Sequence, residues 1–271
     1  MANCAMVVDD LGNSTSTMLQ AALQNKGHTV TEIQVGTVTE TSLEIYDSIF
    51  LPRTTPSTTV AAHLRNYIQQ GIPVWGGLRA PQNIKMGTYD TVGSTSAKPR
   101  AFDVNHWLFL GMPIGDIAVH SSTTFRLMPG ITTEYCRSLT TCVDGSTTRR
   151  PDGLLFLPHT NDSDGVPFGG ICGLMCWIYA QSAFTANGEE AVHRLATLKP
   201  ARISGTIAGS DEAVKVRIID RITGEIISET QSDPVTGEWE TWTVAGREVN
   251  VIALSDDVKV EQNDQVQRVI A

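Results

Sequence analysis

The sequence predicts an α/β fold, in which a parallel sheet is covered by helices on both faces, followed by a small all-β antiparallel sandwich. In the first eighty residues, short apolar runs alternate with segments whose apolar residues recur at helical spacing. After Pro200 the apolar residues instead alternate with polar ones, which is the period of half-buried strands. A chain of 271 residues with 41% hydrophobic content is long enough to bury two cores.

The N-terminal part is predicted to alternate strands with helices. Apolar runs predict strands at residues 4–8, 29–35, 46–51 and 72–75. Helical spacing predicts helices at residues 14–26 and 60–70, and each is followed by a glycine, Gly27 or Gly71, that suits a helix end. Strands separated by helices imply a parallel sheet with right-handed crossovers.

Residues 83–150 carry a weaker pattern. Gly, Ser, Thr and Pro dominate residues 87–99 and 140–151, which predicts long ordered loops with two or three strands. Beyond them we expect a strand at residues 153–157 and a buried helix at residues 169–183. An amphipathic helix is predicted at residues 189–198, with Val192, Leu195 and Leu198 facing inward.

A domain boundary is predicted at Lys199-Pro200, because a helical pattern stops there at a proline. The predicted domains are therefore residues 1–199 and residues 200–271. Five short β-rich segments follow the boundary and are separated by turns, which indicates a small antiparallel sandwich; they are residues 203–207, 214–220, 226–230, 237–244 and 249–254.

The charge distribution argues against nucleic acid as a partner. The chain has a net charge of −9, and residues 200–271 hold 7 Lys or Arg against 13 Asp or Glu. Affinity for a phosphate backbone comes mainly from Lys and Arg, so no nucleic-acid binding is expected. The most apolar segment, residues 168–183, contains three glycines and a glutamine and is shorter than the ~20 residues of a membrane span, so no membrane span is expected either.

The five cysteines predict neither a disulfide framework nor a metal site. Their number is odd, and Cys4, Cys172 and Cys176 lie in apolar runs, where a thiol behaves as a small hydrophobe. The spacing of Cys172 and Cys176 exceeds that of the commonest zinc knuckle by one residue, and no second pair completes a tetrahedral site. Core packing is the favoured interpretation, with metal or a disulfide as the alternative.

The segment after the first predicted strand has two alternative interpretations besides a solvated loop. Asp9 and Asp10 are followed by Asn13 and Ser14, in an order similar to a phosphate-binding loop. Two carboxylates oppose an anion, however, and Asn13 or Ser14 is explained as a helix cap. A divalent cation would need further oxygens, for which Asp47 or Asp162 and Asp164 are the candidates. A cap and a solvated loop are favoured, so no metal or cofactor is predicted.

The C-terminal part resembles transthyretin-like or carboxypeptidase-regulatory-like β-sandwich modules. The resemblance lies in five short sequence segments, which are residues 202–206, 216–220, 223–225, 230–233 and 237–239. It implies a non-enzymatic folding, spacing or adhesion unit, of a kind that phage structural proteins commonly carry. Trp239 is expected in the core and Trp242, three residues on, at the opposite face. An outward Trp242 suits a glycan platform or a partner contact, but a structural cover over the indole is favoured.

The N-terminal part resembles the class I glutamine amidotransferase-like group of flavodoxin-like, Rossmann-like folds. The resemblance centres on residues 72–82, where that group has a strand, a Gly-x-Cys-x-Gly turn and then a Gln. Here the turn reads Gly-Gly-Leu-Arg-Ala, so Leu78 occupies the position of the nucleophile. A leucine cannot form a thioester. His159 is the candidate for the general base, but without a nucleophile it has nothing to activate. The resemblance therefore implies a domain without catalytic residues.

The two resemblances imply, by analogy, a non-catalytic structural component of a bacteriophage particle, in a tail tip, a baseplate or a minor tail position. It would be assembled in the host cytoplasm with other virion proteins, in multiple symmetric copies. Thr-rich loops at residues 87–101 and 138–148 are expected to form the contact layer.

Two alternatives remain open. One is a host-surface or glycan-binding adhesin that uses the sandwich. The other is an amidotransferase-like hydrolase with Cys172 or Cys176 as its nucleophile. No role is assigned to the single histidines, which are His28, His63, His106, His120, His159 and His193.

Overall fold

A computed structural model of the chain describes residues 1–78, 84, 92–94, 100–101, 108–109, 111–112, 117–121, 126–127, 137–143, 149–156, 166, 168–179, 182–209, 211–222, 224, 226–254 and 267–268. The chain divides into two compact units, and their main boundary along the chain lies between Leu198 and Lys199. No helix in the described ranges is long and apolar enough to cross a membrane.

The first unit is built on an eight-stranded sheet. The strands of this part of the chain are β1 (Asn3–Val8), β2 (Thr29–Gln34), β3 (Ser48–Arg53), β4 (Val74–Leu78), β5 (Val92–Ser94), β6 (Arg100–Ala101), β7 (Arg126–Leu127), β8 (Arg137–Val143), β9 (Arg149–Phe156) and β10 (Cys172–Met175). Their order in the sheet is β2-β1-β3-β4-β10-β9-β8-β6, and β5 pairs separately with β7. Neighbours from β2 to β10 run parallel, whereas β9, β8 and β6 are joined antiparallel.

Within the described residues, three helices accompany the parallel strands: α1 (Ser14–Asn25), α2 (Thr58–Gln69) and α3 (Ala186–Thr197). α1 connects β1 to β2 in one direction along the sheet, and α2 connects β3 to β4 in the other. Right-handed crossovers in opposite directions place these two helices on opposite faces. The central strands are consequently covered on both sides, and five successive residues of β1 and of β3 are buried. The predicted α/β class with a parallel sheet is confirmed.

The helix predicted at residues 169–183 is wrong. Cys172–Met175 forms β10, in the middle of the sheet, and Cys176–Ile178 forms one 3-10 turn. A central strand is buried on both faces, so its sequence is apolar throughout and lacks the alternation that marks a strand. The glycines at positions 169, 170 and 173 were the available signal against a helix of that length.

The prediction for residues 83–150 is also corrected. The proposed contact loop at residues 138–148 contains most of β8, which pairs with β9 inside the sheet. The other proposed loop, residues 87–101, contains β5 and β6. β9 begins at Arg149, four residues before its predicted start. Threonine-rich sequence favours strands as well as loops, which explains the confusion.

The second unit consists of two antiparallel sheets. Its strands are β11 (Pro200–Thr206), β12 (Lys215–Asp220), β13 (Ile226–Gln231), β14 (Glu238–Val244), β15 (Glu248–Leu254) and β16 (Gln267–Arg268). β11 pairs with β14, and the second sheet has the order β13-β12-β15-β16. One core joins the inward residues of both sheets, Ala201, Ile203, Val216, Ile218, Ile227, Trp239 and Val249. The α/β domain is therefore followed by a small antiparallel β unit, as predicted.

Candidate functional site

The strand order of the first unit indicates where a ligand would bind. In the order β2-β1-β3-β4-β10, the chain leaves β1 toward one edge of the sheet and leaves β3 toward the other. Open α/β sheets place their ligands at the carboxyl ends of the strands, beside such a reversal. The candidate site is therefore the edge where β1 ends at Val8 and β3 ends at Arg53.

The two loops at this edge are bonded to each other. Asp9, which follows β1, accepts hydrogen bonds from the Thr55 backbone N–H at 2.7 Å and from Thr55 Oγ1 at 3.2 Å. The hydroxyl of the buried Thr54 donates to the Val7 carbonyl at 2.6 Å. The Asp9 carboxylate thus joins two loops across the crevice.

The start of α1 is capped by the protein itself. Asn13 Oδ1 accepts from the backbone N–H groups of Thr15 and Ser16, both at 3.0 Å. The nearby Gly12 N–H donates to Glu32 Oε2 at 2.8 Å, so a further carboxylate borders the loop. The predicted helix cap is confirmed, with Asn13 as the cap and Ser14 as the first helical residue. Because these amides are occupied, an anion would have to displace the cap.

The cation alternative loses one of its suggested ligands. Asp47 Oδ2 accepts from the Asn3 backbone N–H at 2.7 Å, at the first residue of β1, whereas Asp9 and Asp10 follow its last residue. A strand of this length separates the two positions by roughly 20 Å, so Asp47 cannot join them. Asp162 and Asp164 lie outside the described residues. Within the described ranges, no group of three His, Cys, Asp or Glu side chains has the geometry of a metal site.

The glycines that suggested a catalytic turn belong to β4 itself. A Cβ on Gly77 would lie 2.4 Å from the Pro52 carbonyl oxygen and 3.1 Å from Ile178 Cγ1. Glycine is therefore needed there for close packing against β3. The strand continues through Leu78, whose backbone is in register with Arg53. Residues 79–83 and His159 lie outside the described residues.

The cysteines with described side chains are buried. Cys4 and Cys172 are 0% exposed and Cys176 is 1% exposed. Burial, and to a smaller extent the nearby Asp47 carboxylate, raises the pKa of the Cys4 thiol to about 12. Cys176 follows β10 at the carboxyl edge of the sheet, so it has the position of a nucleophile but no exposure to a substrate. The predicted core packing of these three cysteines is confirmed.

One histidine lies next to this turn. His120 is 3% exposed, and its Nε2 lies 2.8 Å from the Trp177 carbonyl oxygen, which requires the N–H to be on Nε2. Desolvation lowers its pKa to about 4, against the backbone hydrogen bonds of Trp177 and Ser182. A buried neutral imidazole that donates to a carbonyl fixes the turn and is poorly placed to act as a general base.

In the second unit, the two predicted tryptophan positions are confirmed. Trp239 is buried in the core, whereas Trp242 lies on the opposite face of β14. The Arg202 guanidinium carbon lies 4.7 Å from the Trp242 ring centroid, and Arg202 Nη1 pairs with Glu240 at 2.5 Å. The Trp242 ring is therefore covered by the Arg202 guanidinium group, which belongs to the paired strand β11.

Two further features escaped the sequence reasoning. One is a contact between His28 and His193, which are 165 residues apart. The other is a groove in the second unit beside Trp239. Neither has a local sequence signal, because each depends on residues brought together by strand pairing or helix packing.

No family model matches the chain, and no curated protein matches it. Solved structures similar to it include a ThuA-like protein from Bacteroides uniformis, with 8% identity and a TM-score of 0.49, covering 71% of this chain and 89% of that one. PurLQS from Thermotoga maritima has 12% identity and a TM-score of 0.48, covering 72% and 98%. A GMP synthase protein from Thermoplasma acidophilum has 14% identity and a TM-score of 0.44, covering 71% and 92%. Similarities at this level carry no argument about function.

Proposed function

We propose that this chain is a non-catalytic structural component of a bacteriophage particle that acts through protein–protein interfaces. Its place would be a tail tip, a baseplate or a minor tail position, after assembly in the host cytoplasm. The α/β unit would serve as a packing block, and the β unit, as a transthyretin-like sandwich, would project or bridge between neighbours.

The observation that carries the non-catalytic part is the burial of Cys4, Cys172 and Cys176, none of which is more than 1% exposed. Covalent catalysis by cysteine needs a thiolate that a substrate can reach. Leu78, at the position where the resembling enzymes have their nucleophile, has no reactive atom. The internal bonds of the β1 and β3 loops further support a rigid block, because they occupy groups that a ligand would use.

The particle part of the proposal is supported by the resemblance of residues 200–260 to modules that phage structural proteins carry. The low charged content of 18% is consistent with extensive interfaces, since interface cores are depleted of charged residues. This support comes from analogy, and the composition of purified particles tests it directly.

The experiment is quantitative mass spectrometry of purified phage particles from the source of the chain. The proposal expects the chain at a fixed, symmetric copy number in particles washed with high salt. Absence from particles, with the chain present in the infected lysate, would contradict it. An amidotransferase-like hydrolase would instead release ammonia from glutamine, so the purified chain is assayed in parallel and expected to give none.

A further inference from the structure

Gly153 in β9 lies between its two register partners, Thr140 in β8 and Met175 in β10. A Cβ on Gly153 would lie 2.4 Å from Thr140 Oγ1 and 3.4 Å from Met175 Sδ. It would also lie 3.5 Å from Nε1 of Trp177, which belongs to the 3-10 turn after β10. Three heteroatoms therefore converge where β9 has no side chain. We call these four residues the Gly153 notch.

Two of these heteroatoms are buried polar groups without a hydrogen-bond partner. Thr140 and Trp177 are each 0% exposed, and neither Thr140 Oγ1 nor Trp177 Nε1 is hydrogen-bonded within the residues that the structure describes. Buried hydroxyl and indole groups are normally paired, because a group that loses its hydration without gaining a hydrogen bond is costly. Trp75 follows this rule: it is equally buried, and its N–H donates to Ser48 Oγ at 3.0 Å and to the Leu195 carbonyl at 3.2 Å. The Trp177 N–H therefore needs an acceptor.

The separation of the two unpartnered atoms suits one bridging molecule. Both lie close to a single point, the position of a Cβ on Gly153, so Thr140 Oγ1 and Trp177 Nε1 are at most about 6 Å apart. They are not hydrogen-bonded to each other. Two hydrogen bonds of about 2.9 Å that meet at one oxygen atom cover this range. A single oxygen atom can therefore bond both groups.

The chemistry of the notch restricts its ligand to a small neutral molecule. The Trp177 N–H only donates, the Thr140 hydroxyl donates and accepts, and Met175 Sδ is a weak acceptor. None of these three side chains carries a charge that would hold an ion. All three are 0% exposed, so a large ligand has no access to them. Water both donates and accepts, and about three partners are usual for a buried water molecule.

We propose that the Gly153 notch binds one buried water molecule. The water oxygen accepts the Trp177 N–H, the Thr140 hydroxyl forms a second hydrogen bond with the water, and one water proton faces Met175 Sδ. The water thereby joins β8 to the turn after β10, where the Trp177 carbonyl also accepts a hydrogen bond from His120 Nε2. This inference is independent of whether the chain resides in a particle.

The direct test is a high-resolution crystal structure of the full chain. We expect electron density for one water oxygen at about 3 Å from both Trp177 Nε1 and Thr140 Oγ1. The proposal is overturned by a direct hydrogen bond between these two atoms, by a notch without such density, or by density for a group larger than one water molecule.

A second test in solution uses Thr140→Val, which keeps the shape of the side chain and removes one partner of the water. We expect its unfolding equilibrium constant, measured by urea titration, to rise about fivefold, the effect of one lost hydrogen bond. Thr243→Val is the matched control, because it makes the same change at an equally buried hydroxyl outside the notch, and it should not destabilise the chain. Thr140→Val that is as stable as the wild type, or more stable, would overturn the proposal. The crystal structure of the wild type remains decisive if Thr140→Val fails to fold.

Discussion

His28 Nε2 lies 2.9 Å from His193 Nδ1, which joins the start of β2 to α3. The tautomers of both rings follow from one further bond, because His28 Nδ1 accepts the Ala2 backbone N–H at 3.1 Å. His28 must therefore carry its proton on Nε2 and donate it to His193 Nδ1. Both rings are neutral in this arrangement, and a proton added to either one would place two donors face to face.

The His28–His193 pair predicts a loss of stability on mild acidification. Burial is the largest cause that lowers both pKa values below 6.5. At His193 the Glu190 carboxylate opposes this lowering, whereas Lys26, the amino terminus and Arg194 add to it. A folded-state pKa below the unfolded value gives stability that is present above pH 6.5 and lost as the pH falls below it. His193→Gln keeps an acceptor without a titrating ring, so its urea midpoint should fall less between about pH 7.5 and 5.5. A midpoint that falls as steeply as in the wild type would show that folding does not lower the pKa of His193.

His120 predicts a second, more acidic contribution. Its pKa of about 4 in the folded chain implies that stability on the order of 3 kcal/mol is lost as the pH falls from 6.5 to 4. His120→Gln preserves a donor for the Trp177 carbonyl but removes the titration. Its unfolding free energy should accordingly change less over this range than that of the wild type. An identical pH profile would show that the pKa of His120 is the same in the folded and the unfolded chain.

Gly77→Ala should destabilise the first unit by about 1–3 kcal/mol, because the new methyl group would collide with the Pro52 carbonyl in β3. Gly36→Ala is the matched control, since no heavy atom lies within 4 Å of a Cβ at that position. Thermal unfolding of the two variants provides the measurement. Equal unfolding temperatures would show that β4 does not pack this closely on β3.

Thr243→Val should stabilise β14 by about 1 kcal/mol. Thr243 is 0% exposed and its hydroxyl has no partner in the described part of the chain, so an isosteric methyl removes a buried polar group at no packing cost. Thr54→Val is the matched control and should destabilise, because the Thr54 hydroxyl donates to the Val7 carbonyl. Hydrogen exchange of the β14 and β1 amides measures the two effects, and a change of the same sign in both variants would refute the distinction.

The elements that sequence reasoning identified are those whose signal is local. Asn13 and the helix it caps, and the alternation that places Trp239 inward and Trp242 outward, follow from nearest neighbours along the chain. The strand Cys172–Met175 was missed because burial on both faces removes the alternation that marks strands.

The candidate sites depend on long-range pairing and were less predictable. His28 and His193 carry no mutual signal in the sequence, and the close approach of Gly205 to Trp239 depends on the β11–β14 register. The antiparallel strands β8 and β9 could not be predicted in full from the sequence either, because their Thr, Gly and Pro content is also typical of loops. Their place in the sheet is set by pairing with β10 and with each other.

The central claim is that the three cysteines with described side chains are too deeply buried to act as nucleophiles, and alkylation of the native chain by iodoacetamide, followed by peptide mapping, tests it most directly. We expect Cys4, Cys172 and Cys176 to remain unmodified in the folded chain and to react fully after unfolding in urea, because all three thiols are buried. The account would be contradicted if Cys172 or Cys176 of the native chain reacted faster than an unfolded thiol and if this labelling abolished a measurable hydrolysis of glutamine.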